Sequence, residues 1–169
     1  MTLAASLVTW QDDYALGLEE IDAQHKTLFD IMNRLWAGIV SNAALAEMAQ
    51  VLQELEHYTV QHFTEEEMFM RGIGYPHFDA HVALHRRFVQ KIVDEKNKIL
   101  HGQRPSLELL HFLRDWLANH ILVEDRRYTQ QFHAEEHSTS LLGRFFGRFQ
   151  GKKPARQPAV SYSRSLGTS

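Results

Sequence analysis

The sequence predicts an all-α protein, an antiparallel up-down-up-down four-helix bundle with an extended N-terminal arm and a basic C-terminal tail. Three observations predict it. Four long segments repeat apolar residues at helical spacing, strand-like alternation is missing, and the linkers at 72–75 and 102–105 are very short. Short linkers between long helices force antiparallel neighbours.

Residues 1–20 have no strong period and read as an extended arm carrying Trp10 and Tyr14. The first helical segment runs from Asp22, a side chain suited to an N-cap, through Leu28, Phe29, Met32, Leu35, Trp36 and Ile39. The second starts near Asn42, continues through Met48, Leu52, Leu55, Phe63 and Met70, and ends at Gly72. Pro76 suits the first turn of the third, which passes Leu84, Phe88, Ile92 and Ile99 to Gly102. Ser106 is placed to cap the fourth, which carries Leu109, Leu113, Trp116, Leu117, Ile121 and Tyr128.

Charge divides the chain. Residues 1–137 hold 12 Lys and Arg against all 21 acidic residues, a net of −9, while residues 138–169 hold 6 basic residues and no acid. Three regions follow: an arm at 1–20, a bundle at 21–137, and a tail at 138–169. In the tail, Leu141, Leu142, Phe145, Phe146 and Phe149 share a face if the stretch is helical, with Arg144 and Arg148 opposite. Such a basic amphipathic element suits docking on a membrane surface or a protein partner, although Gly143 and Gly147 weaken it. From Gly151 onward the composition reads as disordered.

The 169 residues are 44% hydrophobic and 23% charged, which is the composition of a globular protein. A net charge of −3 argues against nucleic acid as a partner. No apolar run approaches the ~20 residues of a membrane-spanning helix. The stretch Thr2–Trp10 lacks the basic start of a secretory signal, since no Lys or Arg precedes Lys26. Cysteine is absent, which removes disulfides and thiolate ligands. A cytoplasmic location is the expectation, with the tail as a route to membrane association.

Eleven histidines are more than acid–base catalysis would use. Three pairs stand at ligand spacing: His62 with Glu66, His81 with His85, and His120 with Asp125; His25 lies on the apolar stripe of the first helix. Any one pair is an ordinary accident of a helical surface. Residues equidistant from an antiparallel turn, however, lie at one height. Reflecting His62 and Glu66 about a centre between 73 and 74 lands on His85 and His81. Reflecting those two about a centre between 103 and 104 lands at 122 and 126, beside His120 and Asp125. Bringing His25 level with His62 needs a first turn centred near 43–44, later than Ser41 and Asn42 suggest.

Five imidazoles and two carboxylates at one level describe a metal site with too many ligands for one ion. Imidazole with carboxylate suits iron, zinc or copper over magnesium and calcium. Zinc sites usually stop at four ligands, so the set argues for a di-iron pair with two bridging carboxylates and a bridging oxo or hydroxo. Two such octahedra keep one position open for a small ligand such as O₂. Glu54–His57 and Glu108–His111 match the Glu-x-x-His marker of ferritin-like di-iron enzymes. At ~100° per residue, both histidines point away from the site and read as surface residues.

The run Trp10, Tyr14, Gly17, Ile21-Asp22, Gln24-His25, then His62-Phe63, Glu65-Glu66 and Met68 resembles the bacterial hemerythrins. So does its continuation through Tyr75-Pro76, His81-x-x-x-His85, Phe88, Trp116-Leu117-x-x-His120-Ile121, Asp125 and Tyr128. The resemblance covers residues 10–128 and implies a non-haem di-iron centre that binds O₂ reversibly. It implies that His81, His85 and His120 hold one iron and that His25 and His62 hold the other. Glu66 and Asp125 would bridge them, and Leu28, Phe63, Trp116, Leu117 and Ile121 would wall the ligand pocket. One spacing departs from simple geometry: His120 and Asp125 are five apart, a roughly 140° offset on a regular helix. Either Asp125 reaches around, or the helix widens locally into a π turn.

Three functions fit such a centre. The leading one is an oxygen carrier, store or supplier rather than an enzyme. The second is an enzyme reducing peroxide or nitric oxide, or oxidising ferrous iron. The third is an oxygen or redox sensor read by a partner. No acidic, tyrosine or cysteine relay beside the ligands is visible in the sequence, which favours binding over catalysis.

Overall fold

A computed structural model describes residues 6–134, and the 141–149 segment lies outside the described residues. Four helical rods form the bundle: α1 at Glu19–Val40, α2 at Leu45–Gly72, α3 at Phe78–Leu100, and a fourth rod. The fourth is α4 at Leu107–Asn119, a π-helical turn at His120–Asp125, and α5 at Arg126–Ala134. No strand occurs among the described residues. α1 packs on α2 and α4, and α3 packs on α2 and α4, so the rods close a ring around one core. Among the described residues, no helix is long and apolar enough to cross a membrane.

Each rod turns one stripe inward. Leu28, Met32 and Leu35 of α1 meet Leu52 and Leu55 of α2, Phe88 and Ile92 of α3, and Leu110 and Leu113 of α4 in a core that excludes water. Burying such side chains contributes roughly 1.5–3 kcal/mol each. His25, His62, Glu66, His81, His85, His120 and Asp125 occupy the same inward stripes, so packing carries them to the centre.

Several element boundaries differ from expectation. α1 starts at Glu19 rather than Asp22. Asp22 does not cap that helix; its carboxylate reaches back to accept from the Leu16 and Gly17 amides at 2.8 and 3.2 Å, tying the arm to the helix. α2 begins at Leu45, and the connection across 41–44 turns on Asn42 at φ 55°. That connection moves the turn toward the centre the His25 level required. Gly72 is the last residue of α2, but the left-handed position belongs to Gly74, at φ 66°. Pro76 lies in the turn, and α3 starts at Phe78. Ser106 caps α4 as expected, its Oγ accepting from the Leu109 amide at 3.2 Å.

The arm is a strap with contacts at both ends. The Val8 backbone exchanges two hydrogen bonds with the Asn33 side chain, at 3.1 and 2.8 Å. Tyr14 meets Phe29 edge-on at 5.0 Å, and Lys26 sits over the Trp10 ring. Further along, the Arg126 guanidinium donates to the Asp13 carbonyl, and His133 bonds the Leu16 carbonyl at 3.0 Å. The strap thus joins α1 to α5, the end of the fourth rod.

Candidate metal centre

His25 sits on α1, His62 and Glu66 one turn apart on α2, and His81 and His85 one turn apart on α3. His120 and Asp125 open and close the π turn. That turn resolves the five-residue spacing. An i→i+5 ladder absorbs one extra residue, so both ends of the segment face inward, while Leu122 and Val123 between them face water. All seven side chains are buried and meet at one depth. His57 and His111, with Glu54 and Glu108, are exposed and away from the cluster.

The donor atoms converge tightly. Asp125 Oδ1 lies 3.1 Å from His120 Nε2 and 3.3 Å from His81 Nε2, while its Oδ2 lies 3.3 Å from His25 Nε2. Glu66 Oε2 lies 3.0 Å from His85 Nε2 and 3.7 Å from His81 Nε2. Two donor sets emerge, both able to hold a metal ion: Glu66, His81, His85 and His120, and His25, His62 and Glu66. Glu66 belongs to both, and Asp125 turns one oxygen toward each.

The chemistry of this set fits cations better than it fits an ordinary polar core. Both oxygens of Glu66 and of Asp125, His62 Nε2, and both ring nitrogens of His25 and His81 make no aligned hydrogen bond. Buried polar atoms without partners cost about 1–3 kcal/mol each, so a cluster of them needs a ligand. The Nε2 atoms of His85 and His120 face each other at 3.0 Å, where at most one can carry a proton. A metal ion accepts lone pairs from both.

Charge supports the same reading. Burial opposes ionisation of Glu66 and Asp125, yet the imidazoles around them outweigh it and hold both carboxyls below their usual range. Burial likewise opposes a proton on His81, but its contacts with Asp125 and Glu66 prevail and raise it to about 10. His62 goes the other way: burial, then the neighbouring His25, push it down to about 3. Two carboxylates therefore stay negative in a buried pocket and demand positive charge beside them.

Around this ring stand groups that orient it. His62 Nδ1 donates to Gln24 Oε1 at 2.7 Å, and Gln24 Nε2 donates in turn to Glu65. His85 Nδ1 lies 2.9 Å from Glu67 Oε1. Each contact turns the opposite Nε2 inward. Phe63 stacks on His85 with 3.7 Å between centroids, and Trp116 stacks on His120 at 4.3 Å. Leu28, Leu117 and Ile121 are buried on neighbouring turns, and Trp116 is half-buried.

Sequence reasoning missed Glu67 and the roles of Gln24 and Glu65. A signal existed for Glu67: it stands four residues after Phe63, and both touch His85 from one side. Tyr128, part of the run that resembles the bacterial hemerythrins, stands beside the cluster, its ring 5.9 Å from that of His81. Tyr128 is fully buried with an unpartnered hydroxyl. Burial, then the charges of Glu66 and Asp125, push its phenol well above its ordinary value.

Comparison with known proteins agrees with this architecture. The Hemerythrin HHE cation binding domain matches residues 16–132. A bacteriohemerythrin of Stenotrophomonas maltophilia is 34% identical over 153 residues, covering 84% of this chain and 99% of that protein. One from Clostridium acetobutylicum is 30% identical over 127 residues, covering 72% and 98%. A crystal structure of wild-type hemerythrin aligns with a TM-score of 0.69 at 34% identity, covering 74% of this chain and 97% of that one. With the domain match spanning the strap end, all four rods and every inward histidine, the chain belongs to the hemerythrin family.

Proposed function

We propose that this protein binds dioxygen reversibly at a non-haem di-iron centre. His81, His85 and His120 would hold one iron, His25 and His62 the other, with Glu66, Asp125 and an oxo or hydroxo bridging. The observation that carries the reading is Asp125, whose two oxygens face different histidine groups across a buried pocket. Such an iron pair supplies redox capacity and an open coordination position for a diatomic ligand. The chain supplies the rest. Gln24 and Glu67 fix the tautomers of His62 and His85. Leu28, Phe63, Trp116, Leu117 and Ile121 line the pocket with apolar surface, which keeps water and protons from an oxidisable centre.

The working division of the chain is arm, bundle and tail at 1–20, 21–137 and 138–169, acting in the cytoplasm. Recruitment to a membrane or partner belongs to the tail. Truncation after His137 that abolishes recruitment supports this, and an unchanged distribution removes it.

Anaerobic loading with ferrous iron, followed by oxygenation and removal of O₂, tests the main reading. A spectral change that reverses on deoxygenation is the expected result. His120→Ala and Glu66→Ala should abolish assembly of the iron pair, whereas His57→Ala and His111→Ala should leave it intact. Normal iron content in the first two variants overturns the ligand assignment. One observation favours a second reading, an enzyme: the buried Tyr128 hydroxyl beside Glu66 is placed to deliver a proton or an electron. One-way oxidation by O₂ that slows in Tyr128→Phe would select it.

A further inference from the structure

The two donor sets share Glu66 but are unequal. His81, His85, His120 and Glu66 present four donor atoms within 4.8 Å of one another, against three from His25, His62 and Glu66. The surroundings differ in the same direction. Behind His85 stands the Glu67 carboxylate, at 2.9 Å from Nδ1. Phe63 lies flat on the same ring, 1° from parallel, and Trp116 lies 13° from the plane of His120. On the other side His62 leans on the neutral Gln24 amide, and His25 Nδ1 has no hydrogen-bond partner. A carboxylate behind an imidazole fixes its tautomer and makes it a stronger donor, whereas an amide oxygen orients without adding charge. His81 Nδ1 on one side and His25 Nδ1 on the other both lack a partner, so the inequality rests on the fourth donor and on the Glu67 carboxylate behind His85.

Resting on the metal-centre reading above, we propose that the two positions fill in order. His81, His85, His120 and Glu66 take the first divalent ion, and His25 and His62 take the second more weakly. Three imidazoles and one carboxylate satisfy a four-coordinate ion without help, so the one-ion protein is a stable species. Glu67 is the positioning residue of the first step and Gln24 that of the second. Glu67 is 27% exposed and lines a groove of about 460 Å³ between α2 and α3. The first position is therefore in polar contact with a group that reaches water.

Calorimetry of the metal-free full-length chain with cobalt(II), read alongside the visible bands of the bound ion, tests this without oxygen. Two steps of one equivalent are expected, the first at least about tenfold tighter. Glu67→Ala should weaken the first step by roughly 10–100-fold, and Gln24→Ala should weaken only the second. His62→Ala should keep the first step and lose the second. A single step of two equal equivalents overturns the proposal. So does a His62→Ala variant that binds nothing while its circular dichroism and melting remain those of a folded bundle. Should His62→Ala fail to fold, Gln24→Ala decides: a weaker first step with an unchanged second overturns the order. No cobalt binding at all defeats both readings. Ordered cobalt binding with no reversible oxygen response in the iron-loaded chain defeats only the oxygen-carrier reading.

Discussion

Asp125 bears the strictest demand of any single residue, because its two oxygens serve different neighbours. Oδ1 faces His81 and His120, and Oδ2 faces His25. Replacing it by Asn keeps the size but removes the charge and turns one end into a donor. The donor set of Glu66, His81, His85 and His120 survives that change, while the His25 side loses its second carboxylate. Asp125→Asn should therefore fold and hold about one metal ion per chain, against the two proposed for the native protein. Metal analysis after desalting, with circular dichroism as the folding control, reads this directly. Two retained ions would mean that Asp125 bridges nothing. At the same scale, the contact of Glu67 with His85 shows why outer groups escape a sequence. Such a residue needs no ligand-type spacing; its position depends on where a ring on another helix points.

At the scale of elements, the seven inward residues were legible because antiparallel helices convert equal distances from a turn into equal heights. His62 with Glu66 and His81 with His85 were placed by that rule alone. The fourth rod obeyed it only nearly: reflection lands at 122 and 126, and the five-residue spacing of His120 and Asp125 left open the choice between a reaching side chain and the π turn that the structure shows. The arm resisted: Asp22 looks like a helix cap, and only the fold shows it gripping the Leu16 and Gly17 amides three residues inside α1. The π turn yields a prediction of its own. Leu122 and Val123 are about a third exposed, so deleting one removes no fully buried side chain. A chain lacking Val123 relaxes to a regular helix and keeps Tyr128 and Phe132 of α5 in register against the core. It should unfold in one cooperative transition. Deleting Leu113 from the regular stretch instead swings His120 by roughly 100° relative to the preceding turns and should abolish metal binding. A Val123 deletion that fails to fold would show that the π turn does more than absorb a residue.

For the whole molecule, the buried charges couple folding to proton and metal concentration. Without metal, His62 stays neutral in the fold down to about pH 3, while a free histidine takes a proton below its ordinary value of 6.5. The unfolded chain thus binds more protons between these limits, and stability falls as pH drops through that window. Glu66 and Asp125, held below their usual range, act in the same direction at lower pH. His81 acts oppositely. Raised to about 10, its proton contributes fully below 6.5 and is lost as pH rises through 10. The metal-free protein should therefore melt at its highest temperature near pH 6.5 and at lower temperatures on both sides. In the proposed centre, metal ions would take over the role of the His81 proton as counter-charge to the two carboxylates. Loading should accordingly raise the melting temperature and flatten the alkaline side, because coordination would hold His81 without a proton. Melting curves of both forms between pH 5 and 9 measure this. A metal-free protein whose melting temperature climbs steadily from pH 6.5 to 9 would show that the carboxylates are not balanced by the His81 proton.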